Sequence, residues 1–85
     1  MKLVWKDETR KGEWVESKTR AGNLRLSIHK HIHYPTGVLL GSCYGAITLE
    51  LQELEATELE AAKLEFVGKV KTFLQAQLAA LEGAS

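Results

Sequence analysis

The stretch LRLSIHKHIHYPTGVLLGSCY, Leu24 to Tyr44, decides how the chain folds. In its first half Leu24, Leu26, Ile28, Ile32 and Tyr34 alternate with Arg25, Ser27, His29, His31 and His33, and Lys30 is the one polar residue in the apolar register. Successive side chains of a strand point to opposite faces, so this period of two predicts a half-buried strand with the three histidines on the face away from the core. YPTG then supplies a turn, because Pro35 fixes its own backbone angle and Gly37 tolerates positive φ. VLLGSCY returns as the antiparallel partner, apolar enough to be covered on both faces, with Gly41 and Gly45 marking a bulge or bend.

Working outward toward the amino terminus, KLVWKD and GEWVESK are short runs rich in Val and Trp, and the intervening ETRKG carries Gly12 for a hairpin turn. A second turn signal, RAGN, leads into Leu24. In the other direction AITLELQEL alternates again, either as a fifth strand or as the continuation of the fourth. Thr57 followed three residues later by Glu60 reads as a capping box, and Leu59 opens a helical pattern that runs from about Glu58 to Leu81, with Gly83 as its stop. The expected fold is α+β in a single domain spanning 1–85. An antiparallel β-meander of four or five strands over 1–54 is followed by one long C-terminal amphipathic helix over 57–82, packed on one face of the sheet.

That helix is wider in its apolar face than one sheet requires. Leu59, Ala62, Phe66, Val70, Phe73 and Leu74 mark one face, and Leu64, Val67, Leu78 and Leu81 extend it to an arc of roughly 200°, against a stripe of ~100° for a helix lying on one sheet. Its length of about 36 Å also exceeds the ~17–20 Å reach of ordinary strands. The surplus predicts a homodimer, with Leu64, Val67, Leu74, Leu78 and Leu81 at the interface. Small residues on the other side, Ala61, Gly68, Thr72, Ala76 and Ala79, permit close approach there as well.

With 85 residues, 45% of them hydrophobic, the chain is long enough for one core and is not of disordered composition. The formal charge of zero argues against binding driven by phosphate neutralisation alone. The charges are nevertheless segregated: residues up to Pro35 carry a net +4 and those beyond it a net −4. No run is apolar enough for a signal peptide or a membrane span, and the lone Cys43 forms no internal disulfide, so a soluble protein of a reducing, cytoplasmic compartment is expected.

Alternating histidines on a strand place two imidazoles where they can clasp a zinc-like ion. Three in one straight strand span about 13 Å, too far to meet at one ion, so a third ligand would have to be Cys43 or a glutamate from a neighbouring strand. Cys43 beside the histidine strand also brings a Cys/His nucleophilic pair to mind, yet nothing marks an oxyanion hole, and a lone cysteine is more commonly a small buried hydrophobe. Trp5 and Trp14 near Lys6, Lys11 and Arg25 suit base stacking on a sheet, although two tryptophans in a chain this small are more commonly core. The general plan resembles that of small accessory proteins of phages and mobile elements, including inhibitors of host enzymes, a resemblance of architecture and not of motif. The reading that emerges is a non-enzymatic protein-interaction module without cofactor or metal. It is a homodimer that offers Arg25, His29, His31 and His33 to a macromolecular partner, with nucleic-acid binding and a His-x-His metal site as the alternatives.

Overall fold

The structure, a computed structural model, describes residues 3–10, 13–30 and 38–84. Five antiparallel strands, β1 (Lys6–Arg10), β2 (Glu13–Ala21), β3 (Leu24–His29), β4 (Leu39–Gly45) and β5 (Leu49–Leu54), form one sheet in chain order. A single helix, α1 (Leu59–Ala84), follows and packs on one face, giving the α+β meander that the alternation implies. AITLELQEL therefore supplies a separate fifth strand. The second half of the histidine stretch and the YPTG turn lie outside the described residues.

Register sorts the sheet into two faces. Across the inner face run Asp7, Ser17, Ile28, Gly41 and Gln52 in one row, and Thr19, Leu26, Cys43 and Leu49 in the next. Against these rows α1 lays Ala62, Phe66 and Val70, which join Leu26, Ile28, Leu39, Cys43 and Leu54 in the buried core. The i, i+4 spacing of the three helical residues is what makes this possible, since it keeps them on one side of the helix.

The Phe66 ring lies flat against the backbone of β4: a Cβ built on Gly41 would stand 2.5 Å from the ring. Gly41 is thus a close-approach glycine, and the expected irregularity lies directly beside it, where the register between β4 and β5 shifts between Gly41 and Cys43. Gly41 pairs with Gln52 and Cys43 with Leu49, so Glu50 and Leu51 of β5 stand opposite the single residue Ser42. Gly45 does mark the bend, with φ of 128° and no room for a Cβ beside the Asn23 carbonyl.

Several boundaries differ from the sequence reading, among them that of β2, which runs on to Ala21 through the first half of the RAGN signal. The first strand is KDETR and not KLVWKD: Trp5 precedes it, and only residues 11–12 connect Arg10 to its register partner Glu13. Short two-residue connections are the commonest hairpin links, and edge strands are normally charged, so local Val and Trp content misplaces this one. The helix starts at Leu59, and the Glu58 carbonyl accepts from the Ala62 amide at 2.9 Å, which makes Glu58 the capping position one residue after Thr57. Glu60 then has its carboxylate on Lys63 at 3.0 Å instead of reaching back to Thr57. Gly83 does not end the helix, which continues to Ala84.

The link from β5 into α1 is held by a different glutamate. Glu65 accepts from the Glu55 and Ala56 amides at 2.9 and 2.8 Å, a two-point clasp that fixes where the helix leaves the sheet. One carboxylate of the helix thus helps to shape the fold.

Candidate interaction surface

The outer face of the sheet is built from the other half of the alternation. Arg20, Arg25 and Tyr44 form one row across β2, β3 and β4; Lys6, Lys18, Ser27 and Ser42 form the next; Glu8, Glu16, His29, Leu40 and Glu53 form the third. The two ends of this face differ in chemistry. At the first end Arg20, Arg25 and Tyr44 are all exposed. Beside them Glu16, Lys18, Ser27 and Tyr44 line part of a cleft of about 630 Å³.

Lys18 divides the two ends. Its ammonium lies 3.2 Å from Glu16 and 3.6 Å from Glu8, and its hydrogen bond to Glu16, helped by the charges of Glu16 and Glu8, raises its pKa above the ordinary lysine value. The carboxylates nearest the basic end are thereby engaged. Arg20 donates from Nε to the Gly22 carbonyl at 3.1 Å, which orients its guanidinium without neutralising it.

At the third row the face closes. Leu40, between His29 and Glu53 in register, is 1% exposed although it points away from the helix. His29 is half-buried there, with Glu16 opposite on β2, and its Nδ1 is screened from solvent. His29 is therefore a strand-end residue at a covered edge, and the structure separates it from the open Arg25 end. His31 and His33 lie outside the described residues. Lys30, just beyond the end of β3, is exposed, which is how a polar residue in the apolar register is accommodated.

Cys43 is on the opposite side of the sheet from His29. It is sealed in the core, in register with Leu26 and Leu49, and burial pushes its thiol pKa up. Among the described residues the geometry brings no Cys/His pair together, and it removes Cys43 as a third metal ligand to His29. Among the described residues no group of three His, Cys, Asp or Glu side chains is placed to hold a metal ion. The side chain of Trp14 lies outside what is described, and Trp5 is not on the outer face: it packs against the core with the Lys63 ammonium 5.6 Å from its ring centroid.

Lys63 itself is the charged residue most deeply set in the interface between helix and sheet, 8% exposed. Asp7 lies 3.3 Å from it and Glu60 3.0 Å. Burial alone would lower the lysine pKa, but the hydrogen bonds and charges of Glu60 and Asp7 outweigh it and raise it. The Asp7 carboxylate, which also accepts from the Ser17 hydroxyl, is held below the ordinary range, first by that hydrogen bond and then by Lys63. This cluster ties α1 to β1. All its members are engaged with one another, so it reads as a structural clamp.

The second exposed surface is the flank of α1. Leu64, Leu74, Leu78 and Leu81 are 78%, 37%, 57% and 71% exposed, and Val67 is half-buried at the rim of the core. Between this flank and the uncovered part of the inner face runs an apolar groove of about 610 Å³, with Trp5, Leu24 and Leu26 on one side and Leu64, Val67 and Leu74 on the other.

Of the residues singled out from sequence, Arg25 falls in the open basic row and His29 does not. Arg20 and Tyr44, which complete that row, were not singled out; the signal for them lies in the pairing of β2, β3 and β4, two hairpin registers away from any local pattern. Among the described residues no helix is long and apolar enough to cross a membrane. Comparison with protein-family models, with curated proteins and with solved structures found no match for the chain.

Proposed function

We propose that the chain is a non-enzymatic protein-interaction module that receives an acidic segment of a partner protein at the Arg20–Arg25–Tyr44 end of its outer sheet face. The observation that carries the reading is this row: two exposed guanidiniums paired across β2 and β3, flanked by an exposed tyrosine, with no carboxylate in the row. Arginine and tyrosine are the side chains most enriched at energetic centres of interfaces, and guanidinium matches a carboxylate with two parallel hydrogen bonds. The strand pairing sets the three groups side by side across β2, β3 and β4. Small accessory proteins that inhibit a host enzyme work by docking of this sort, which is the setting the architecture suggests.

Nucleic acid would also meet arginine and tyrosine here. Against it stand the net charge of zero and the acidic row of Glu8, Glu16 and Glu53 on the same face, which would repel a phosphate backbone continuing along the sheet.

A pull-down from lysate of the native host, with wild type and Arg25→Glu as paired baits and with and without nuclease, tests the reading. The expected result is a captured protein that resists nuclease and is lost with the charge-reversed bait. Capture that disappears on nuclease treatment would move the nucleic-acid reading to first place, and capture indifferent to Arg25→Glu would remove this surface from consideration.

A further inference from the structure

Subtracting the core from α1 leaves a pattern. Once Ala62, Phe66 and Val70 are assigned to the sheet, the remaining flank reads Leu64, Val67, Lys71, Leu74, Leu78, Leu81, at steps of three, four, three, four and three. That is an unbroken a/d seam, one residue of it charged, and at 100° per residue it lies about 110° round the helix from the core-facing stripe. Scattered surface leucines need no explanation; leucines in this register, largely exposed, do.

The two ends of the seam differ in shape. Leu64 and Val67 form one wall of the apolar groove against Trp5 and Leu24, whereas Leu78 and Leu81 form a bare ridge beyond the last buried residue, Val70. Each copy thus carries both a groove and a ridge, on the same flank and in opposite halves of one helix. We propose that a second copy of this chain covers the flank in an antiparallel two-fold arrangement, the ridge of each copy lying in the groove of the other. The axis then crosses α1 between Lys71 and Leu74, setting Leu64 opposite the second copy's Leu81, Val67 opposite its Leu78, and Lys71 opposite its Leu74.

Rival arrangements are disfavoured by features already described. Both edge strands are charged, and both hairpin registers slip, between Glu8 and Thr9 on β1 and between Gly41 and Cys43 where β4 meets β5. Such irregular, charged edges resist pairing with a second sheet. A parallel helix pair would stack Glu60 on its own copy, set Lys71 against Lys71 and leave both grooves empty. The antiparallel pair also opposes the helix dipoles. The other flank groove, beside Gly68, is rimmed by Glu55, Glu65 and Lys69 and has no matching ridge.

The seam is about 26 Å long on a helix about 10 Å wide. Even with the groove walls added, this lies at the low end of specific interfaces, and Lys71 weakens it further, so the dimer is a reversible one with a Kd in the micromolar range. The proposal stands independently of the sheet-face reading.

Sedimentation over roughly 1 to 200 µM, the range bracketing such a Kd, tests it. Wild type should show a monomer–dimer equilibrium, Leu78→Glu should weaken it at least tenfold or so while the circular dichroism of the dilute monomer is unchanged, and Lys71→Leu should tighten it by about as much. Orientation is read from mild oxidation: Leu64→Cys mixed with Leu81→Cys should give the mixed disulfide, and Leu81→Cys alone should not cross-link. Wild type that stays monomeric throughout the range, Lys71→Leu without tighter association, or efficient cross-linking of Leu81→Cys to itself would each overturn the proposal.

Discussion

Between Leu59 and Val70 the helix α1 sets one apolar stripe against the sheet, and none of Ala62, Phe66 and Val70 exceeds 4% exposure. Between Lys71 and Gly83 three leucines recur, and among the described side chains only Phe73 is even half-buried. Both halves are helical and rich in apolar residues; they differ in what lies across from them. The first half is stabilised by packing on its own chain, as most helices in proteins are, whereas the second extends past the sheet in a molecule 52 Å long and 27 Å wide. An amphipathic pattern therefore specifies that a face will be buried without saying by whom.

The widest gap between the halves is expected on truncating a side chain in each. Phe66→Ala should cost about 3–5 kcal/mol, because it empties the space between the helix and Gly41 in a core that cannot collapse around it. Leu78→Ala should move the stability of the dilute monomer by no more than about 0.5 kcal/mol, since it removes no intrachain contact of the core. Urea denaturation at concentrations well below association measures both. Equal effects would mean that the second half has a partner within the monomer. Gly41→Ala sharpens the point: it should destabilise by about 1–3 kcal/mol alone, and by less in a Phe66→Leu background where the clashing ring is gone.

How much of this was legible from sequence follows the same division between local and distant causes. The alternation in Leu24–His29 and the covered run Leu39–Cys43 are local patterns, and they were found where they were read. The boundaries of β1 were not legible, because they depend on a short connection and on Asp7 meeting Ser17 across ten residues. Ser17 and Thr19 are polar yet buried on the core face; only their partners, Asp7 and the Val4 carbonyl, make that tolerable, and both partners are remote in sequence. Arg25 was legible as an exposed residue of the polar register, but the row it belongs to needed Arg20 and Tyr44 to be brought beside it by two hairpins. The surplus on α1 was legible as width. Its three-four register was hidden beneath the core residues interleaved with it.

A smaller effect is expected where the first half of the helix is anchored to the loop before it. Glu65→Gln keeps the shape of the clasp but replaces one acceptor oxygen by an amide NH2, which cannot accept from the Glu55 or Ala56 amide. The charge that strengthens both hydrogen bonds is lost as well. A cost of about 1 kcal/mol in urea denaturation is expected, together with faster hydrogen exchange at those two amides. Unchanged exchange there would show that the start of α1 is set by packing alone.

The smallest effect concerns the clamp between the same half and β1, and it depends on pH. The Asp7 pKa is lowered in the folded protein below its ordinary 3.8, by Ser17 first and by Lys63 after a partly opposing effect of burial, so its stabilising contribution is present above that value and is lost as pH falls through the folded pKa. The Lys63 pKa is raised above 10.5, so its contribution is present below that value and is lost as pH rises through the folded pKa. Between these limits the clamp is intact. The Asp7 side chain is 43% exposed, which keeps the pair's worth below about 1 kcal/mol despite the burial of the lysine. Asp7→Asn is the informative variant, because its amide oxygen still accepts from Ser17 while the charge facing Lys63 is gone. Its melting temperature should fall slightly below wild type at neutral pH, and the gap should close as the solution is acidified past the folded Asp7 pKa. A gap of constant size across that acid limb would show that the carboxylate acts through shape and hydrogen bonding and not through its charge on Lys63.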